Sequence, residues 1–310
     1  GVVKVVTFKD VPNHCYPTPG HPWSVETAHQ DVADRNILTG RVRYYGDDIA
    51  AVVAEDEITA QRAVRLIEVE YEEYPVEIHP RKSMLGTNPP VHEEKKDNIL
   101  VSSNYSIGDV ERGLEQAATV LKRSYKTPIV QHCHIENPIS YAYMENGRIV
   151  VVSSTQIPHI VRRVIGQALG IPWGKIRVIK PYIGGGFGNK QDVLYEPLNA
   201  FLTMQVGGRP VKLDVSREET FCNTRTRHSI EYDLTAGVDK DGSSCKRHGS
   251  NLQPGSICFS RTCDRGQWTD FLETAVCLPE YQWKGVYGIY QYTGRRSYAW
   301  IWNSAGMFWH

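Results

Sequence analysis

The stretch Ile183-Gly184-Gly185-Gly186-Phe187-Gly188-Asn189-Lys190 places four glycines and one aromatic residue in five consecutive positions. A strand-like run, 175–180, precedes the stretch, and a helix-like run, 191–202, follows it. Glycine adopts backbone conformations with positive φ and lets a ligand approach the bare backbone closely. Free amide groups between a strand and a helix start also favour an anionic ligand. The stretch therefore predicts either a tight strand-to-helix turn or a cradle for an anionic group.

The composition is that of a globular chain without a charge bias. The 310 residues are 41% hydrophobic and 23% charged, and 35 Lys and Arg balance 35 Asp and Glu. This balance gives no argument for a nucleic-acid partner or an acidic membrane surface, and no apolar run approaches the ~20 residues of a membrane span. The seven cysteines show neither a disulfide framework nor a C-x-x-C pair, so we expect a reduced, cytoplasmic setting.

The first part of the chain is predicted to be a small α+β domain. Residues 1–8 read as a strand, 41–54 as two short strands, 56–67 as a helix with apolar residues at helical spacing, and 69–74 as a further strand. The chain opens directly in this strand pattern, which we interpret as a start inside a domain whose earlier part is missing. The polar segment 81–98 contains two prolines and reads as a linker.

The second part is predicted to alternate between strands and helices. The order strand, helix, strand, glycine loop, helix, strand indicates mixed α/β layers, and we therefore expect an α+β fold. Apolar residues on one face predict a helix at 159–169, stopped by Gly170 and Pro172. The remaining predicted elements are a helix at 108–117, strands at 118–127, 139–153, 209–215 and 228–236, and a helix near 192–204.

The segment Gln131-His132-Cys133-His134-Ile135-Glu136 allows two interpretations. His132, His134 and Glu136 have a spacing that would place them on one face of a strand, where they could bind a metal ion. Alternatively, they form a polar turn whose histidines are hydrogen-bonded in the core. We favour the second interpretation.

The sequence contains the stretches STQIPHIVRRVIGQALGIP, IRVIKPYIGGGFGNKQD, RPVKLDVSREETF, TRTRH and QHCHIE. Together they resemble motifs of the molybdenum hydroxylase family, the large subunits of xanthine dehydrogenases and aldehyde oxidases. The likeness is greatest to bacterial xanthine dehydrogenase molybdenum-binding subunits. It implies an α/β hammerhead domain at 1–80, a linker at 81–98, the first molybdopterin-binding region at 99–242 and an unrelated tail at 243–310.

The resemblance implies a molybdenum–molybdopterin cofactor and oxidation of a purine, a related N-heterocycle or an aldehyde, with water as the oxygen source. It implies that Gln156, Gly185, Gly186, Phe187 and Gly188 bind the cofactor, and that Gln156 and Phe187 lie beside the metal. Iron–sulfur clusters and FAD would be carried by partner subunits or domains. The family's catalytic glutamate lies beyond this chain, so no catalytic base is expected here.

One position departs from the family pattern of purine oxidation. Many members that act on purines carry a glutamate shortly after the GGGFG motif, where this chain has Gln191. An amide donates or accepts hydrogen bonds, but it carries no charge and does not act as a base. Gln191 is therefore expected to contact substrate, and the substrate stays open between purines, other N-heterocycles and aldehydes.

The resemblance stops at Ser243, and we interpret the tail as a frameshifted reading. Five of the seven tryptophans lie beyond this point, and the family motifs GAYASHG, VYTN and AMRGYG do not appear. Tryptophan has one codon, so Trp300-Ile301-Trp302 read one base later gives Gly, then Tyr, Ser or Phe, then Gly. With permitted codons the same shift places all three motifs in order, which the nucleotide sequence would test. Because such a tail was not selected to bury its apolar groups, we expect 243–310 to be irregular.

Three functional hypotheses follow from these features. The chain is an incomplete part of a molybdenum hydroxylase that is inactive alone, a complete catalytic chain whose unusual tail finishes the site, or a non-catalytic subunit-interaction or assembly module. Molybdenum and pterin content, xanthine turnover and capture of iron–sulfur or FAD subunits distinguish them.

Overall fold

The computed structural model describes residues 1–18, 33–93, 96–240, 244–254 and 280–288. Within these ranges the chain alternates strands and helices, which confirms the predicted α+β class. The strands are β1 (Val2–Thr7), β2 (Ala50–Ala54), β3 (Ile99–Ile107), β4 (Thr119–Lys126), β5 (Val130–Gln131), β6 (Ile139–Glu145), β7 (Arg148–Ser153), β8 (Ile176–Ile179), β9 (Val211–Asp214), β10 (Thr226–Arg227), β11 (Glu231–Val238), β12 (Ser244–Pro254) and β13 (Glu280–Gly288). The helices are α1 (Glu57–Val64), α2 (Pro80–Ser83), α3 (Val110–Gln116), α4 (Pro158–Leu169), α5 (Glu196–Gln205) and α6 (Arg217–Asn223).

The first part of the chain contains an antiparallel β1–β2 pair and α1. The predicted helix is confirmed, and Asp56 caps it by accepting a hydrogen bond from the Thr59 amide at 2.9 Å. Two predicted strands are wrong. Residues 41–45 form no strand: the chain turns at Tyr45 and Gly46, and Asp47 Oδ2 accepts from the Arg43 amide at 2.7 Å. Residues 69–74 pair with no strand among the described residues, so their backbone groups form no ladder.

A four-stranded sheet of order β8-β7-β6-β9 carries α4 and α5, and this layer positions the site. The predicted face of α4 is buried, and Gly170 ends the helix in the left-handed conformation with φ of 66°. Each valine, isoleucine or leucine side chain of this face stabilises the layer by roughly 1.5–3 kcal/mol on full burial. The buried residues of α4 are Ile160, Val161, Val164, Ile165, Gly166, Ala168 and Leu169.

Helix α5 begins at Glu196, four residues later than the predicted start at 192. Residues Asn189–Gln191 instead form a short 3-10 turn. The Glu196 carboxylate accepts hydrogen bonds from the amides of Leu194 at 3.1 Å and Tyr195 at 3.2 Å, which holds the entry segment out of the helix. The helical periodicity of the sequence does not reveal this local competition.

Part of the tail forms regular structure, so the expectation of an irregular tail is wrong for 244–254 and 280–288. A five-stranded sheet has the order β3-β13-β12-β11-β4, in which β12 pairs antiparallel with β11 and β13 pairs parallel with β12. Strand pairing uses backbone groups that every residue carries, and the tail strand β13 is rich in Tyr, Trp and Val, which favour strands. The rest of the tail lies outside the described residues.

Of the helices in the described ranges, none has the length and apolar character needed to cross a bilayer.

Candidate functional site

The site lies where two parallel neighbouring strands end. Strand β7 pairs in parallel with β8, with Val152 opposite Ile179. Gln156 follows the end of β7 and the glycine loop follows the end of β8. Because carboxyl ends of parallel strands meet at one edge of a sheet, the fold brings Gln156 and the loop together.

The glycine loop has an unusual backbone. Gly185, Phe187 and Gly188 have φ values of 95°, 50° and 86°, and the Asn189 amide donates to the Gly186 carbonyl at 2.8 Å. A left-handed conformation is rare for a bulky residue such as phenylalanine and costs on the order of 1 kcal/mol or more. Phe187 is nevertheless 64% exposed, although its Cε2 atom would lie 3.3 Å from a Cβ on Gly185. The backbone at Phe187 is therefore strained at a position where the aromatic residue is largely exposed to solvent.

The glycines allow the loop to lie directly against two other segments. A Cβ on Gly184 would lie 2.6 Å from Glu136 Cβ, and a Cβ on Gly186 would lie 2.6 Å from Gln156 Oε1. At Gly188 the nearest atom is Gln191 Oε1 at 4.0 Å, so that side of the loop is open. Two of the glycines thus serve close packing inside the chain, which the sequence did not distinguish from ligand approach.

Polar groups without a hydrogen-bond partner among the described residues lie in this loop and beside it. The Gln156 Oε1 atom is buried without a hydrogen-bond partner among the described residues. The amides of residues 185–188 form no hydrogen bond with any other described residue. Buried polar atoms are normally paired, and exceptions indicate a ligand, water or strain. The structure therefore brings together the predicted cofactor residues Gln156, Gly185, Gly186, Phe187 and Gly188, and some of their polar groups have no hydrogen-bond partner among the described residues.

Gln191 lies at the foot of the loop. Its amide nitrogen donates to the Gly188 carbonyl at 3.4 Å, and its side chain is half-buried. Its assignment to substrate stays a prediction.

The segment around His134 packs beneath the loop as hydrogen-bonded core. His134 is 1% exposed; its Nδ1 donates to the Glu136 carbonyl, and its Nε2 accepts from Asn189 Nδ2 at 3.1 Å. Burial lowers the pKa of His134, and the charge of Lys190 lowers it further, so the ring is neutral. In the described ranges, no group of three or more His, Cys, Asp or Glu side chains is arranged to hold a metal ion.

Glu136 and Lys190 form an ion pair under the loop that the sequence did not single out. Burial raises the pKa of Glu136, but hydrogen bonds from Lys190 and the Gly184 amide, together with the Lys190 charge, outweigh it and bring the pKa below its ordinary value. Glu136 is therefore a carboxylate. Fifty-four positions separate the two residues, so no local pattern joins them.

A second ion pair, Arg225–Asp192, supports the far end of the loop and was also missed. Arg225 Nη2 and Nε lie 2.6 and 3.2 Å from the two Asp192 carboxylate oxygens, and both side chains are almost fully buried. Arg225 Nη1 donates to the Gly188 carbonyl at 2.9 Å. Two basic residues close together, Arg225 and Arg227, look alike in sequence, and only the fold selects the buried one.

His132 provides a test of burial near the site. Burial lowers the pKa of His132 from 6.5 to about 4, and the Arg225 charge adds to this effect. As the pH falls from 6.5 to 4, His132 becomes protonated in the unfolded chain but stays neutral in the folded chain. The free energy of unfolding therefore falls by about 3 kcal/mol in this window. His132→Gln is expected to remove this loss.

Urea unfolding of wild type and His132→Gln at several pH values measures the difference. The difference in free energy of unfolding between wild type and His132→Gln should change by about 3 kcal/mol from pH 7 to pH 4. The same substitution at exposed His159 is the control and should leave the curve parallel to wild type. Parallel curves for His132→Gln would show that this ring titrates freely in the folded chain.

Comparison with known proteins identifies the family to which this chain belongs. The molybdopterin cofactor-binding domain matches residues 91–248, and the aldehyde oxidase and xanthine dehydrogenase a/b hammerhead domain matches residues 1–75. The xanthine dehydrogenase molybdenum-binding subunit of Escherichia coli O157:H7 is 49% identical over 243 residues, covering 78% of this chain and 32% of that protein. The nicotinate dehydrogenase large molybdopterin subunit of Eubacterium barkeri is 33% identical, covering 66% of this chain and 48% of that protein.

A solved structure shows the same fold. Reconstituted CO dehydrogenase from Oligotropha carboxidovorans superimposes with a TM-score of 0.79 at 24% identity, covering 96% of this chain and 39% of that chain. The chain thus spans a third to a half of the length of these relatives. The predicted resemblance is confirmed: this chain belongs to the molybdopterin cofactor-binding domain family, together with the a/b hammerhead domain of aldehyde oxidases and xanthine dehydrogenases.

Proposed function

We propose that this chain supplies one wall of the molybdopterin site of a molybdenum hydroxylase that oxidises purines, related N-heterocycles or aldehydes, in partnership with iron–sulfur and FAD subunits. The observation that carries the proposal is the Gln156 Oε1 atom, buried against Gly186 without a partner among the described residues. The relative at 49% identity is a xanthine dehydrogenase subunit by name, which supports purines as the first substrates to test.

The residues present fit this cofactor. When bound, molybdopterin supplies a molybdenum centre that hydroxylates substrate with oxygen taken from water. The free amides of 185–188 would donate hydrogen bonds to anionic oxygens of the cofactor, as backbone amides in loops with left-handed residues such as Gly185, Phe187 and Gly188 often do. The Gln156 amide would accept or donate a hydrogen bond to the cofactor, and the exposed Phe187 ring would form an apolar wall that excludes water and strengthens nearby electrostatic interactions.

The described residues of this wall contain no group suited to act as the catalytic base. Gln191 has an amide, and the nearby carboxylates Glu136 and Asp192 are each held in an ion pair. We therefore propose that the chain holds cofactor but does not turn over substrate alone. Purified full chain should contain pterin and molybdenum but show no xanthine oxidation. Background levels of both pterin and molybdenum would contradict the proposal, and capture of iron–sulfur or FAD subunits in that case would support an interaction module.

Gln156→Leu is expected to change stability and cofactor content in opposite directions. Leucine has a similar size and removes a buried oxygen that lacks a partner, so the free energy of unfolding should rise by roughly 1 kcal/mol. The pterin content of the same preparation should fall to background because the acceptor is lost.

Urea unfolding and pterin fluorescence after oxidation measure the two quantities. Gln167→Leu, on the exposed face of α4, is the matched control and should change neither. A Gln156→Leu variant that is less stable and keeps its pterin would show that this amide serves the fold rather than the cofactor.

A further inference from the structure

The Glu136–Lys190 ion pair connects the two sides of the site. The Lys190 side chain is 2% exposed and that of Glu136 is 31% exposed. An isolated ion pair that is partly buried adds little net stability, because desolvation of a lysine offsets most of the attraction. The position of the pair is therefore more informative than its strength.

Glu136 is bonded to the beginning of the glycine loop in two ways. Its carboxylate accepts from the Gly184 amide at 2.9 Å, and its own amide donates to the Gly184 carbonyl at 3.1 Å. The two segments touch closely, since a Cβ on Gly184 would lie 2.6 Å from Glu136 Cβ. Gly184 therefore has no freedom to move without breaking a charge-assisted hydrogen bond.

Lys190 is bonded to the other side. Its carbonyl accepts from the Gln156 amide at 2.8 Å and from the Thr155 hydroxyl at 3.5 Å. Its ammonium group donates to the same Glu136 oxygen that holds Gly184. One carboxylate oxygen thus joins the loop, through Gly184, to the segment that carries Gln156, through Lys190.

We propose that Glu136 is a positioning residue: oriented by Lys190, its carboxylate fixes the glycine loop against Gln156 so that both present their free polar groups to one ligand. This inference rests on the proposed molybdopterin site for the identity of the ligand. The mechanical part, in which Glu136 holds Gly184, depends only on the chain itself. Glu136 touches no reacting atom in this arrangement and acts through the loop.

Hydrogen exchange of the full chain, followed by mass spectrometry, tests the mechanical part. Glu136→Ala should raise exchange of the Gly184 amide by about tenfold or more, as expected for loss of a charge-assisted hydrogen bond. Exchange in the buried helix α4 should stay at the wild-type rate, which shows that the fold is intact. Glu145→Ala is the control. Glu145, at the end of strand β6, forms an exposed ion pair with Arg177 whose nitrogen and oxygen lie 3.8 Å apart, so this variant should change neither exchange rate.

The charge-swapped double variant Glu136→Lys with Lys190→Glu separates positioning from stability. A lysine at 136 accepts no hydrogen bond, so Gly184 exchange should stay fast even where the thermal midpoint recovers. Recovery of slow Gly184 exchange in the swap would overturn the proposal. Should the swap not fold, Glu136→Gln replaces it: the amide oxygen keeps an acceptor, so Gly184 exchange should stay within about threefold of wild type, whereas loosening equal to that of alanine overturns the proposal.

Pterin content of the same preparations links the loop to the ligand. Glu136→Ala should lose pterin while Glu145→Ala keeps it. Wild-type protein without pterin would contradict the proposed function and leave the exchange result standing. Glu136→Ala with full pterin and a loosened loop would overturn the role of Glu136 in presenting the site.

Discussion

Gly186→Ala is expected to lose pterin and to destabilise the chain by about 1–3 kcal/mol, the usual range for overpacking a buried position. The added methyl would meet Gln156 at 2.6 Å from Oε1 and 2.7 Å from Cδ. The φ of Gly186 is not in the left-handed region, so the backbone itself tolerates alanine. The strain therefore comes from the contact with Gln156, and its relief must displace the residue that we assign to the cofactor.

A second substitution tests this cause. Gly186→Ala combined with Gln156→Ala removes the atoms that clash, so stability should return to within about 1 kcal/mol of the Gln156→Ala single variant while pterin stays absent. Gly174→Ala is the control, because no atom lies within 4 Å of its added Cβ. Urea unfolding and pterin fluorescence provide the readouts. Additive destabilisation in the double variant would place the strain elsewhere in the loop.

Asp192→Leu is expected to cost about 3–5 kcal/mol of unfolding free energy, because it leaves the Arg225 charge buried without its carboxylate. The two side chains are 2% and 1% exposed, so water does not screen the remaining charge. Asp192→Leu with Arg225→Met removes both charges and should recover most of the loss. A residual of about 1 kcal/mol is expected because the Gly188 carbonyl loses its donor.

The exposed pair Lys212–Asp214 is the matched control for this cycle. Its nitrogen and oxygen lie 2.8 Å apart, close to the 2.6 Å of the buried pair, but its side chains are 54% and 47% exposed. Asp214→Leu should cost no more than about 1 kcal/mol. Equal losses at Asp192 and Asp214 would show that burial does not determine the contribution of the Arg225 pair.

Some of the fold was predictable because it depends on short-range patterns. The apolar spacing of 159–169 predicted α4 and its buried face. The helix predicted at 108–117 forms as α3, where the Asp109 side chain accepts from the Arg112 amide at 3.0 Å. Sequence patterns predicted the wrong structure where the outcome depends on a strand or hydrogen-bond partner that the pattern does not specify. Residues 69–74 alternate like a strand but have no neighbouring strand among the described residues, and Glu196 delays α5 by bonding to the preceding amides.

The candidate site divides in the same way. The glycine loop, Gln156, Phe187 and Gln191 were predicted because their motifs are compact and specific. Asn189 was quoted only as part of the motif, yet its amide group lies 3.1 Å from Gln131 Oε1, 3.1 Å from His134 Nε2 and 3.2 Å from Thr224 Oγ1. Its partners lie 35 to 58 positions away, and no local pattern encodes such distances.

The sequence by itself determined the family and predicted the residues of the proposed cofactor wall, because glycine spacing and the Gln156 motif are short and specific. Only the tertiary structure decided what these glycines do. Gly184 and Gly186 are close-packed on Glu136 and Gln156, while the open face begins at Gly188. The parallel pairing of β7 and β8 places the glycine loop beside Gln156. The strands at 244–254 and 280–288 join a sheet through backbone hydrogen bonds, which residue patterns constrain only weakly.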